Sequence, residues 1–296
     1  MRKFEISTDS TSDFYLKEYE DMQVDFEPLD FILSKDNEII EQKDNFKTIR
    51  QYYDFYKKLK EGYIAKTSIL NLQAHVNLFT RIAKRGVKHL IHISQGYGLS
   101  PTLDNANKAI EIVKKDFPEI DFIAMEANST TVGEGLIVKC AVCMRDEGKT
   151  MEEAFKKLNE IKKYTQHFII VNDLKFLARS GRISNASASI GSILQVKPII
   201  EFDKHGKLKV CKKEMGFKKA LKSVVDEYSN FTLNKEFPFI SIVHTDNETQ
   251  AINLKKLLKE KYNIEAEIKI MGPIIGAHVG PNTVAYCFIS NEERVN

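Results

Sequence analysis

Apolar runs of strand length alternate with helical patterns through the first half of this sequence. The runs are FEIS, VDFEPLDFIL, VKHLIHI and IDFIAME. Between them, apolar residues recur every three or four positions, as on one face of a helix. Such alternation is typical of a parallel sheet with helices on both faces, because parallel strands need a crossover connection. It predicts a three-layer, parallel-sheet α/β domain in the N-terminal half.

Strand-like runs and helical patterns continue beyond about residue 165. The later runs are HFIIVND, KPIIEF, KLKVCKK, FPFISIVH, EAEIKIM and TVAYCFIS, and a serine-rich stretch, SNASASIG, follows the first of them. KPIIEF and KLKVCKK flank the turn DKHG, which predicts an antiparallel hairpin. We therefore expect two α/β domains, residues 1–165 and 166–296, the second with a mixed sheet. A ligand is expected between them, since clefts between domains are common binding sites.

Several predicted helices begin with residues that commonly cap them. Asn71 precedes a helix whose apolar residues fall on one stripe. Thr150 with Glu153, and Asn247 with Gln250, have the spacing of a capping box. These positions predict where three of the helices begin.

Composition and motifs argue against several classes of function. Lys and Arg total 44 against 41 for Asp and Glu, a difference of three over 296 residues, with no block of like charges, so nucleic-acid binding is not expected. The N-terminus lacks the apolar core of a signal peptide, and no apolar run is long enough to span a bilayer. We expect a cytoplasmic protein without stable membrane insertion. No cluster has zinc-ligand spacing, and neither a metal nor a cofactor is expected.

The loop SQGYGLSPT, residues 94–102, joins a predicted strand to a predicted helix. Pro101 suits the first helical position, so Ser100 is expected to be the N-cap. The same geometry suits an anion, because free N–H groups at a helix start attract negative charge and glycines permit close approach. The loop lacks the third glycine of a dinucleotide fingerprint, and the chain has no P-loop motif. A single carboxylate is therefore favoured over a polyphosphate, and capping remains the alternative.

Three other stretches carry hydroxyl, carboxyl or imidazole groups that could join Ser100 at a ligand. ISTDSTSDF places Asp9 and Ser10 after the first strand, and AKTSIL places Thr67 and Ser68 before a helix. Each pair is either a local turn or cap, or a ligand contact. GPIIGAHVGPN sets His278 in what we expect to be a rigid loop before the last strand. His278 is either a turn residue or a donor to a carboxylate.

Taken in order, these motifs resemble those of the DegV family of bacterial fatty-acid-binding proteins. TDSTSDF is similar to the family's T-D-S-T, TSIL to its T-S-x-P, and SQGYGLSPTLDNA to its S-S-x-L-S-G-T-Y-x-S-A. In the second half, LARSGRIS resembles L-x-R-G-G-R-I-S, ILQVKPI resembles L-L-x-I-K-P-I, and GAHVGP resembles G-T-H-T-G-P. Each motif is weak alone, but several in the same order are specific.

The resemblance implies two α/β domains with a long-chain fatty acid between them, its chain in an apolar tunnel. By position in the motifs, it implies that the carboxylate is held by Thr67, Ser100 and His278. The supporting residues that it implies are Asp9, Ser10, Ser68 and Gly276. No catalytic residue is implied, because family members bind the acid for another protein.

That other protein is an ATP-dependent kinase subunit, which converts the bound acid to an acyl phosphate. The resemblance implies that Arg179 and Arg182 dock this subunit, and the alternative is that they are solvated surface arginines. The chain departs from the family pattern where Met215 stands at the position of an arginine in many members. Asn128 replaces the aspartate of a D-S motif, and two extra residues precede Ser100.

Two other classes of function compete with a lipid carrier. One is a serine hydrolase or acyltransferase with Ser100 as nucleophile, His278 as base and Asp9 as the group that orients the base. No G-x-S-x-G motif frames Ser100, and a capping serine would have its oxygen committed. The other is a regulatory interaction protein without a ligand, which predicts an empty or collapsed cleft.

Overall fold

The computed structural model describes residues 2–172, 174–184 and 195–295, so residues 185–191 of the serine-rich stretch lie outside it. Its strands are β1 (Glu5–Asp9), β2 (Asp25–Glu27), β3 (Asp30–Lys35), β4 (Glu38–Lys43), β5 (Ile64–Thr67), β6 (His89–Ser94), β7 (Asp121–Glu126), β8 (Thr165–Ile170), β9 (Val196–Phe202), β10 (Leu208–Met215), β11 (Ile240–His244), β12 (Glu267–Ile270) and β13 (Val284–Ile289). Its helices are α1 (Leu16–Met22), α2 (Ile49–Lys60), α3 (Leu72–Ala83), α4 (Thr102–Val113), α5 (Thr131–Asp146), α6 (Met151–Ile161), α7 (Lys175–Arg179), α8 (Gly216–Glu227), α9 (Glu248–Tyr262) and α10 (Pro273–Val279).

The N-terminal half is built on a fully parallel sheet in the order β2-β1-β6-β7. Leu90 of β6 packs in a cluster with Phe79 of α3 and Ala106 of α4. Ile91 and Ile93 belong to the main core, where α5 packs. Successive strand residues point to opposite faces, so the continuous apolar run of β6 is buried on both sides. The predicted three-layer arrangement is confirmed.

A second, three-stranded antiparallel sheet in the N-terminal half has the order β4-β3-β5 and was not predicted. VDFEPLDFIL is two strands rather than one, because the chain breaks at Pro28, which has no N–H to donate to a ladder. The first part joins the parallel sheet as β2. The second, β3, buries Phe31 against Phe55 of α2. The small sheet matters for function because its strand β5 ends at Thr67.

The C-terminal half contains a six-stranded mixed sheet in the order β10-β9-β8-β13-β11-β12. Only β11 and β12 pair in parallel, and β9 with β10 forms the predicted hairpin. One face is covered by α8 and α9, with Val224 and Leu254 packed beside Tyr286 of β13. The other face belongs to the main core that it shares with the N-terminal half. The predicted mixed sheet is confirmed, and the division at residue 165 stays a prediction.

The predicted helix starts have mixed outcomes. Asn71 caps α3 by accepting a hydrogen bond from the Ala74 N–H at 2.8 Å. Thr150 and Glu153 form the predicted capping box of α6. Asn247 is the N-cap of α9, but its side chain makes no capping bond, so that predicted box is wrong. Spacing alone locates a helix start, whereas the cap bond also depends on the local backbone.

Direct hydrogen bonds join the two halves. The Tyr56 hydroxyl donates to the Met271 carbonyl at 2.6 Å, and the Gly272 N–H donates to Asp13 Oδ1 at 2.9 Å. The other carboxyl oxygen of Asp13 accepts from the Thr131 hydroxyl. Burial raises the pKa of Asp13 to about 7, because desolvation disfavours the charged form more than these hydrogen bonds favour it. In the folded protein, the Asp13 carboxyl group at the junction therefore stays protonated to a higher pH than an aspartate in water does.

This burial predicts a pH dependence of stability. The folded pKa of Asp13 lies above the ordinary aspartate value of 3.8, so its contribution to stability is complete below that value and is lost as pH rises towards about 7. Asp13→Asn cannot ionise. The free energy of unfolding of Asp13→Asn minus that of wild type should therefore increase by about 2 to 3 kcal/mol from pH 5 to pH 8. Urea denaturation at the two pH values measures this difference. Asp116→Asn, at an exposed aspartate, is the control variant. If the difference in unfolding free energy between Asp13→Asn and wild type did not change with pH, the expectation would be wrong.

Candidate functional site

A cavity lies between the two halves. The space within it that no atom occupies is about 820 Å³, and this figure includes space open to solvent. The N-terminal half contributes residues 67–69 after the small sheet, the loop between β6 and α4, and the start of α5. The C-terminal half contributes the inward face of its sheet, α10, and residues in and after α7. The cavity therefore lies between the two halves, where a ligand was expected from the sequence.

The floor of the cavity is the inward face of the mixed sheet and is largely apolar. Ile169 of β8 lies beside Ile200 of β9 and Ala285 of β13 in the strand register. Ile274 and Ile275 of α10 line the cavity as well. Burying a methylene group against such a surface contributes about 0.8 kcal/mol. This floor suits an alkyl chain.

Thr67 and His278 meet on the cavity wall, one from each half. Thr67 Oγ1 lies 3.0 Å from His278 Nε2, and His278 Nδ1 has no partner among the described residues. His278 lies in α10, so the predicted loop is wrong: Pro273 starts a short helix that Gly280 ends. Burial, with the charges of Arg182 and Arg179, lowers the pKa of His278 to about 4. At neutral pH the imidazole is therefore uncharged and has one nitrogen available.

Ser100 lines the same cavity and is not a helix cap. Helix α4 begins at Thr102 with Pro101 in the N-cap position and no side-chain capping bond, so the capping prediction for Ser100 is wrong. The Ser100 side chain is buried, and within the described part of the chain its hydroxyl has no hydrogen-bond partner. The backbone N–H of Ser100 donates to the Gly96 carbonyl at 3.2 Å. The hydroxyl is thus positioned by its loop and free to bind a ligand.

The glycines of the loop permit its close packing. A Cβ at Gly96 would approach the backbone of Asn128 within 3.0 Å, and a Cβ at Gly98 would collide with the Gly206 carbonyl of the β9–β10 turn. The loop is therefore held between the N-terminal half and the hairpin of the C-terminal half. A side chain at Gly98 would therefore require the backbone of the turn to move, and one at Gly96 would be tightly packed.

The two arginines after α7 differ in their surroundings. Arg182 is half-buried and lines the cavity, and burial lowers the pKa of its guanidinium. Arg179 is exposed, with its guanidinium 4.7 Å from the centre of the Phe176 ring. Arg182 therefore brings a positive charge to the cavity wall, whereas Arg179 lies on the surface. Met215 is 51% exposed at the end of β10 and does not line the cavity.

The predicted supporting residues separate into two groups. Ser68 lines the cavity beside Thr67, with its hydroxyl donating to the Asp30 carbonyl at 3.3 Å. The structure does not bring Asp9, Ser10 or Gly276 to the cavity wall. Ser10 Oγ accepts from the Leu29 N–H at 3.1 Å, and Gly276 packs against the Tyr56 ring. Asp9 and Ser10 therefore bond within the N-terminal half, and of these three residues Gly276 is the one packed across the junction.

The geometry of a serine hydrolase is not present. Thr67, not Ser100, is the hydroxyl that contacts His278. Asp9 is buried away from the cavity, and its Oδ1 accepts from the Thr11 N–H at 2.9 Å and from the Thr11 hydroxyl at 2.5 Å. In such a triad the base must lie within hydrogen-bond reach of the nucleophile, and the orienting acid must lie within hydrogen-bond reach of the base. The interpretation with Ser100, His278 and Asp9 as a triad therefore has no support.

Sequence analysis missed several polar residues of the cavity wall. Gln95, Thr130 and His167 line the cavity together with Cys287. Gln95 belongs to the glycine-rich loop, so its position there was the available indication. His167 was hidden inside the strand run HFIIVND, where period-two alternation alone would have shown that it shares a face with Ile169.

The described residues contain no helix with the length and apolar composition that crossing a bilayer requires. Over the same residues, no group of three or more His, Cys, Asp and Glu side chains is arranged to hold a metal ion. The candidate site is thus described by hydrogen-bond donors, one cation and an apolar floor.

Fold and site together define a two-part α/β protein with a cavity at the junction. The sequence matches the family model described as "Uncharacterised protein, DegV family" over residues 3–291, and the chain belongs to that family. A DegV domain-containing protein of Clostridium perfringens (strain 13) is 31% identical over 295 residues, covering 99% of this chain and all of that one.

Solved structures agree with this assignment. A DegV lipid binding protein from Thermotoga maritima aligns with a TM-score of 0.83 at 24% identity, over 99% of this chain and 100% of that one. The DegV structure of Bacillus subtilis, described as a fatty acid binding protein, has a TM-score of 0.80 at 25% identity, over 98% of this chain and 100% of that one. The family resemblance and the α/β architecture predicted from the sequence are confirmed.

Proposed function

We propose that this protein binds one long-chain fatty acid, with the alkyl chain in the junction cavity and the carboxylate beside Thr67, Ser100 and His278. The observation that carries the proposal is the combination, in one cavity, of an apolar floor with hydroxyl and imidazole groups from both halves. The description of the Bacillus subtilis relative as a fatty acid binding protein supports it.

The Thr67–His278 pair suits a carboxylate in either of its proton arrangements. If His278 Nε2 carries the proton, it donates to Thr67 Oγ1, and the threonine hydroxyl donates to the ligand. If the proton is on Nδ1, Thr67 donates to Nε2, and the buried Nδ1–H is the donor that has no partner among the described residues. One donor is offered to an acceptor in both cases. The free hydroxyl of Ser100 adds a second, and Arg182 adds positive charge.

Neutral donors bind a carboxylate without neutralising it. A bidentate arginine pair would bind more strongly and reduce the reactivity of the oxygens. We therefore infer that the protein presents its ligand to a separate ATP-dependent kinase subunit. A carboxylate oxygen attacks the terminal phosphorus of ATP, the bond from that phosphorus to ADP breaks, and an acyl phosphate forms. The chain has no P-loop motif, in keeping with a nucleotide held by the partner and with a non-catalytic binding subunit.

Removing single donors tests the site. Thr67→Val and Ser100→Ala should each weaken fatty-acid binding about ten- to hundredfold, because each removes one hydrogen bond to a charged group. Titration calorimetry with a saturated long-chain acid measures the change. Thr249→Val, at an exposed threonine of α9, should leave the affinity unchanged. Full affinity in both cavity variants would exclude this placement of the carboxylate.

Partner docking is tested at Arg179, because Arg182 also lines the cavity and would report on both functions. Arg179→Ala should slow acyl-phosphate formation with the kinase subunit at least several-fold while fatty-acid affinity stays the same. The exposed Arg50 of α2 gives the matched control, Arg50→Ala. Equal loss of binding and of kinase coupling would mean that Arg179 supports the fold instead of the partner.

A further inference from the structure

The wall of the cavity carries a second polar region on the apolar sheet face. His167 and Ile169 lie two residues apart on β8, so they point to the same side, and both line the cavity. The neighbour of His167 across β13 is Cys287, and its ring lies 4.4 Å from that of Phe202 on β9. The imidazole of His167 thus occupies a position where an aliphatic side chain would extend the apolar floor of the cavity.

Only one nitrogen of His167 is used within the described residues. His167 Nε2 lies 2.6 Å from Ser129 Oγ, whereas Nδ1 has no partner there. The side chain is 2% exposed, so a partner for Nδ1 has to be a group that packs directly against the ring. Burial lowers the pKa of His167 well below its usual value, and the ring is neutral. A buried polar atom without a partner is costly, and a ligand group is one way to satisfy it.

Two further polar side chains continue this region. Thr130, next to Ser129, donates its hydroxyl to Gln95 Oε1 at 3.5 Å, and both residues line the cavity. Gln95 is 5% exposed, and its amide nitrogen makes no hydrogen bond within the described ranges. We call Gln95, Thr130 and His167 the inner polar wall. An unsubstituted alkyl chain lying against it would leave His167 Nδ1 and the Gln95 amide nitrogen without partners.

We propose that the preferred ligand is a fatty acid that carries a hydroxyl group on its chain, and that the inner polar wall binds this hydroxyl. A hydroxyl both donates and accepts, so it satisfies Nδ1 whichever nitrogen of His167 carries the proton, and it can also accept from the Gln95 amide. A keto group could pair with only one of the two tautomers. The inference rests on the proposed function and narrows its ligand class.

The test compares octadecanoic acid with octadecanoic acids that carry one hydroxyl each, at successive positions along the chain. Their dissociation constants are measured for wild type and for His167→Phe, which keeps the ring and its packing on Phe202 but removes both nitrogens. At least one hydroxylated acid should bind wild type about tenfold more tightly than octadecanoic acid. His167→Phe should lose this preference while binding octadecanoic acid at least as well as wild type does. Gln95→Leu should reduce the preference independently.

His75 offers a matched control. It is also a buried histidine with an unpartnered nitrogen, Nε2, but it does not line the cavity, so His75→Phe should keep the wild-type preference. Equal affinity of wild type for all the acids would overturn the inference and leave the proposed function standing. The same preference in wild type and in both cavity variants would also overturn it. Failure of wild type to bind any of the acids would remove the proposed function, and this inference with it.

Discussion

The inward face of the C-terminal sheet is the constraint on which the rest of the structure depends. Its side chains are apolar, as at Ile169 and Ile200, and such a face must be covered to be stable. The N-terminal half and α10 provide the cover, fixed by buried hydrogen bonds such as that from Tyr56 to Met271. The cover leaves a cavity rather than a closed core, and residues of both halves line it, so the candidate ligand site is a product of their packing.

Charge is distributed around the cavity in a way that agrees with a bound anion. Burial, with the charges of Arg182 and Arg179, lowers the pKa of His278 and keeps its imidazole neutral, so that Arg182 is the cation on the described wall. The buried carboxyl groups Asp9 and Asp13 lie outside the cavity lining, and burial raises the pKa of both. Raised pKa values limit the negative charge near the site, which favours an acidic ligand.

The sequence was informative where local periodicity determines structure. Alternating strands and helices, the β9–β10 hairpin and the motifs around Thr67, Ser100 and His278 could all be recognised from the chain. The small antiparallel sheet could not, because a break at Pro28 sends two adjacent strands into different sheets. The helix around His278 was hidden by its flanking glycines and prolines. Asp9 shows the same limit. It lies in a motif that suggested a ligand contact, but the direction of its side chain depends on tertiary packing. Period-two alternation placed His167 on the same face of β8 as Ile169, but that this face lines the cavity depended on how the two halves pack.

The most direct test of the account is mass spectrometry of an organic extract of the purified native protein, with the fatty acid quantified against the protein. The account predicts about one fatty acid per chain in the wild-type extract and a reduced amount from Ser100→Ala. A clean wild-type extract, together with no uptake of added fatty acids by the folded protein, would contradict it. That result would mean that the chain keeps the DegV fold without the ligand for which its cavity is suited.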